Sequence, residues 1–127
     1  MKTRMVTFFS AFALSISICL FSNRFVGYSM NIVIKEAKQM EAHLNEDRKD
    51  DAFQSAEKLQ KYIENKEQLL EGLVPHEDLH DLSMQIADAA LSIKIGDIDD
   101  SKKAIELMIE NAEHLIKHEA FMLGNIF

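Results

Sequence analysis

From Val26 onward, apolar residues recur at intervals of four and three: Val26, Met30, Val33, Ala37, Met40 and Leu44. That spacing keeps them on one face of an α-helix. The face continues out of an uncharged apolar run at residues 5–22, "MVTFFSAFALSISICLFS". A polar break at Asn45, Glu46 and Asp47 supplies capping groups for a second helix. That helix carries Ala52, Ala56, Leu59, Ile63, Leu70 and Leu73 in heptad positions, with Lys66 interrupting the stripe. Gly72 and Pro75 end it, since proline cannot continue the hydrogen-bond ladder. A third helix is expected from His76 to Ile95, with Leu79, Leu82, Ile86, Ala89, Ala90 and Ile93 on one side. Gly96 suits the left-handed residue that closes it. The fourth is expected to start near Asp100 as its N-cap and to bury Ala104, Ile105, Met108, Ala112, Leu115 and Ile116.

No segment alternates with period two for long enough to predict a strand. Short connections make successive helices antiparallel neighbours. The expected fold class is therefore all-α: an N-terminal membrane helix continuing into an antiparallel up-down four-helix bundle. Residues 1–24 form the signal-anchor segment and residues 25–127 the helical domain. Met30, Met40, Met84, Met108 and Met122 are read as core filler, and the closing Leu123, Ile126 and Phe127 as too apolar to be left in water.

Charge narrows the functions open to this domain. Of the fourteen Lys and Arg, three (Lys2, Arg4 and Arg24) flank the apolar run. Eleven remain against all twenty-one Asp and Glu, because the first acid is Glu36, so the domain carries about −10. Such a surface repels phosphate backbones, which excludes nucleic acid as a partner, and it does not suit lying on anionic lipid. The only cysteine, Cys19, lies inside the apolar run, so no disulfide can form within the chain.

The run begins with basic residues, as a signal peptide does, and has about the minimum length for a membrane span. Ala11 and Ala13 resemble a cleavage site but fall halfway through it; Gly27 and Ser29 would place a cut before Met30. Because the apolar helical spacing continues past the run, an uncleaved anchor is favoured, crossing the bilayer once through residues 5–22. Lys2 and Arg4 point to a cytoplasmic N-terminus and so to an acidic domain outside the cytoplasm, although Arg24, Lys35 and Lys38 on the other side nearly balance them. Cleavage would instead give a secreted protein.

Residues 76–80, "HEDLH", match H-E-x-x-H, in which two histidines one helical turn apart hold zinc beside a glutamate base. Here Pro75 puts the motif in the opening turn of a helix, and Asp78 places a charge inside it. No sheet or second domain supplies a substrate cleft, so the match is a decoy for proteolysis. Asp97, Asp99 and Asp100 resemble the start of a calcium loop, but Lys102 stands at the sixth position and Met108 at the twelfth. Helix capping accounts for these acids better. One metal-site candidate remains: His76 and His80 are four apart, as are His114 and His118. In an antiparallel hairpin turning at residues 96–100, His80 lies level with Lys117 and His76 with Phe121, at one end of the bundle, with His43 at the other. Imidazoles at that spacing chelate zinc or a similar divalent ion if the shoulders meet. No spacing of Ser, His and Asp marks a catalytic triad, and no glycine-rich phosphate loop occurs.

Several segments together resemble a known family. Glu119 followed by Leu123, Asn125, Ile126 and Phe127 looks like a closing E…L-x-N-I-F pattern; "PHEDLHDL" at 75–82 and "GD" at 96–97 followed by Ala104 match internal segments, with His76 on the family's histidine. The chain resembles domain-of-unknown-function family 4363, small membrane-anchored helical proteins of spore-forming bacteria. It departs from that pattern in having no tryptophan and in carrying Gly124 at a usually polar position. The resemblance implies location and shape, no chemistry, and suggests a multi-pass membrane protein as partner. The expected function is non-enzymatic: a membrane-anchored extracytoplasmic module acting through protein–protein contact, with no cofactor. The alternative is a helical bundle that binds a divalent metal ion through His76, His80, His114 and His118.

Overall fold

The computed structural model describes the backbone of residues 1–126 and the side chains of residues 1–120. The expected burial of Leu123, Ile126 and Phe127 and the place of Met122 lie outside the described residues. Four helices follow one another: α1 (Lys2–Asn45), α2 (Lys49–Glu71), α3 (His76–Ile95) and α4 (Ile98–Ile126). No strand occurs among the described residues, so the chain is all-α. Each helix packs against its neighbours in sequence, and α4 packs back onto α1.

α1 has two different halves. At 44 residues it is about 66 Å long, and it runs unbroken from the apolar segment into the packed domain. Its most apolar 18-residue window is long and apolar enough to cross a membrane, and none of it is buried. From Val26 the same helix buries Val26, Met30, Val33, Ala37, Met40 and Leu44, the predicted stripe. On α3 the buried set is Leu79, Leu82, Ile86, Ala89, Ala90 and Ile93, as the spacing requires. Ala52, Ala56, Leu59, Ile63 and Leu70 of α2, Val74 of the connection after it, and Ala104, Ile105, Met108, Ala112 and Leu115 of α4 complete the core, with Leu73 and Ile116 packed at its margin.

One methionine departs from expectation. Met30, Met40 and Met108 fill the core, but Met84 is 51% exposed. It precedes Ile86 by two residues, about 200° around the helix, so it points away from the core.

The helix ends differ from expectation in two places. α4 starts at Ile98, and its N-cap is Asp97, whose Oδ1 accepts the Asp100 backbone N–H at 3.1 Å. Asp100 is therefore the third helical residue, not the cap; the chain turns at once after Gly96, so the acid next to that turn takes the capping role. No side chain caps α2; its cap position is Arg48. The break instead closes α1. The backbone N–H of Arg48 donates to His43 O at 2.8 Å and that of Asp47 to Leu44 O at 3.3 Å, with Asp47 at φ 57°. α3 ends in the same double bond, Asp97 N–H to Ser92 O and Gly96 N–H to Ile93 O, with Gly96 at φ 83°. This closure puts one residue in the left-handed region, where a glycine is unstrained and an L-residue is penalised. Asp47→Gly is thus expected to raise stability by about 1 kcal/mol, read as a shift in the urea midpoint with unchanged slope.

Candidate functional site

Three polar side chains are buried among the described residues, and each is bonded. Lys58 Nζ donates to Glu36 at 3.3 Å, Tyr62 Oη to Ser29 Oγ at 3.4 Å, and Ser101 Oγ to the Asp97 carbonyl at 2.6 Å. The first two bonds tie α1 to α2. They use up buried polarity in holding helices together, so it is not directed into a cleft.

The spaces between helices are shallow grooves. One of about 280 Å³ lies between α2 and α3, against Gln60, Glu64, Glu67 and Ser83. A second, about 340 Å³, lies between α3 and α4, with Leu91 and Leu107 on its walls and Asp88, Asp100 and Lys103 at its rim. A third contains His43 beside Glu36, Asp51 and Lys58. Ser55 also lines the third groove, but among the described residues no hydrogen bond joins it to His43.

Four of the five histidines form two separate pairs. The rings of His76 and His80 stack with centroids 6.4 Å apart, and those of His114 and His118 with centroids 6.5 Å apart. Asn111 Nδ2 donates to Gln85 Oε1 at 2.7 Å, which sets the register of α3 against α4 and puts both pairs toward the same end. They nevertheless occupy different shoulders. His114 and His118 follow Asn111 by three and seven residues, on the side of α4 that meets α3. His76 and His80 precede Ser83 by seven and three, on the side of α3 that lines the groove with α2. Among the described residues, no three His, Cys, Asp or Glu side chains come together to hold a metal ion. Spacing within one helix was legible from sequence; which shoulder faces which neighbour was not.

Two carboxyls are shifted upward. Glu119, a residue of the closing pattern, is raised by burial, with His118 opposing. Asp100 is raised first by side-chain hydrogen bonding to Asp97 and then by that residue's charge. A carboxyl raised in the folded state contributes stability below its unfolded pKa, and that contribution is lost as pH rises from about 4 through the raised value. Asp100→Asn removes this loss. The melting temperature of the variant relative to the parent should therefore be higher at about pH 7 than at about pH 3.

The sequence profile of a domain of unknown function, DUF4363, matches residues 20–126. The chain belongs to the DUF4363 family. The match takes in the last part of the apolar run and nearly all of the packed domain, so the DUF4363 unit includes the junction where α1 passes from exposed to buried. No curated protein and no solved structure matches significantly.

Proposed function

We propose that this protein is a single-pass, membrane-anchored helical module whose domain lies outside the cytoplasm and acts by protein–protein contact without catalysis. The observation that carries this is the continuity of α1: one helix buries no residue over its apolar window and is core-forming from Val26 onward. Two details support retention of the anchor. The hydroxyls of Thr7, Ser15 and Ser17 donate at 2.9 Å to carbonyls four residues back, which satisfies them without water, as a bilayer interior demands. A cut before Met30 would remove Val26 and Ser29, both fully buried in the domain.

Lys2 and Arg4 before the span favour a cytoplasmic N-terminus. A multi-pass membrane protein is the proposed class of partner, since a tether confines encounters to the plane of the bilayer. Reporter fusions at the C-terminus, together with affinity capture of the full chain from native membranes, test the proposal. An active extracytoplasmic reporter and a stoichiometric membrane-protein partner are the expected results. A cytoplasmic domain, or no partner under gentle extraction, would overturn it.

A further inference from the structure

α3 is apolar on two faces. Besides its core stripe it carries Met84, Ala87, Leu91 and Ile95, spaced by three and four, and all four are exposed. Met84, Leu91 and Ile95 keep 51%, 59% and 69% of their surface in water. Leu107 on α4, 41% exposed, extends the patch across the groove that it shares with Leu91. A helix with apolar residues on opposite sides is the usual sign of burial on both sides. Among the described residues α3 meets only α2 and α4, which leaves the outer stripe unpartnered there. Contiguous apolar surface of this kind marks an interaction site.

The surrounding charge indicates what covers it. α3 carries Glu77, Asp78, Asp81 and Asp88 against a single cation, Lys94. Asp100 joins Asp88 at the groove rim, where Lys103 is the one opposing charge. A second copy would bring the same acids to the seam, and a bilayer surface would need a basic face, where α3 offers Lys94 alone. The stripe is about 16 Å long from Met84 to Ile95, roughly three helical turns. We infer that the outer face of α3, with its groove against α4, is a docking surface for an amphipathic helix that presents an apolar face flanked by Lys and Arg. This inference rests on the protein–protein reading above and names the partner's chemistry. Apolar side chains of that helix pack along Met84, Leu91 and Ile95, and its cations sit beside Asp81, Asp88 and Asp100.

The probe is a synthetic amphipathic helix of Leu and Lys, about 18 residues long, with three controls: a scrambled isomer, a twin with Glu for Lys, and empty nanodiscs. The full chain is held in phosphatidylcholine nanodiscs. Saturable binding of the Lys peptide is expected, weakened tenfold or more by Met84→Gln/Leu91→Gln/Ile95→Gln and unchanged by Leu69→Gln on α2. The Gln variant keeps every charge, so unchanged affinity would mean mere electrostatic adhesion and would overturn the inference. No binding, equal binding of the Glu twin or of the scrambled isomer, or a homodimer cross-linked through Leu91→Cys would overturn it too. Capture from native membranes separates the two levels. A partner retained by the triple variant removes the α3 surface and leaves the tethered-module proposal standing; no partner for either protein removes that proposal itself.

Discussion

The full chain should stay with the membrane pellet after alkaline carbonate washing, whereas a chain lacking residues 2–22 should appear wholly in the supernatant. Phe8, Phe9, Phe12, Leu14, Ile18, Leu20 and Phe21 are all exposed on the free half of α1. Their transfer from water to hydrocarbon is worth roughly 10 kcal/mol in total at about 1.5 kcal/mol each. At 1.4 kcal/mol per decade this is a partition ratio of about seven decades, enough to make the difference categorical. The truncation spares every described residue of the core, the first of which is Val26, so the soluble product should retain its helicity and cooperative melting. The mass of the mature native protein tests retention in parallel. A product starting near Met30 would show that the apolar run is removed in the cell.

The core and the helix order were legible because α-helical burial writes a period of 3.6 into the sequence, and little else in this chain competes with it. Val26 to Leu44 and Leu79 to Ile93 are buried as their spacing requires. Features decided by backbone geometry at the helix ends were less accessible. Asp47 has no sequence signature of a left-handed residue, since glycine normally stands there. Asp97, Asp99 and Asp100 are equally good caps by type, and only the position of the Gly96 turn selects Asp97. Met84 departs for another reason: its apolarity suits the core, but its position two residues before Ile86 puts it on the opposite side of α3. A second stripe is easily absorbed into the first when a helix is expected to have one buried face. The candidate metal site was legible only as two pairs, because the rotation of each helix about its axis decides whether shoulders meet.

Leu82→Ala and Leu91→Gln, on opposite faces of α3, should give very different stabilities. Leu82 is fully buried in the core, and its truncation leaves a cavity among residues of the neighbouring helices. Such a change costs about 2–5 kcal/mol. For a domain of roughly 100 residues, each kcal/mol lowers the melting temperature by about 4–8 °C, so a fall of roughly 10–30 °C is expected. Leu91 is 59% exposed, and removing its apolar surface changes the free domain by no more than about 0.5 kcal/mol. Thermal melts of the chain lacking residues 2–22 measure both without interference from lipid. If Leu91→Gln proved as damaging as Leu82→Ala, the outer stripe of α3 would be part of the fold's own core. If it is silent in the melts yet abolishes partner capture, its apolar character is explained by what it binds. Leucine, isoleucine and methionine left largely in water on the acid-flanked outer face of α3 contribute little to the stability of the isolated domain. Their stabilising contribution is available only when a second apolar surface covers them.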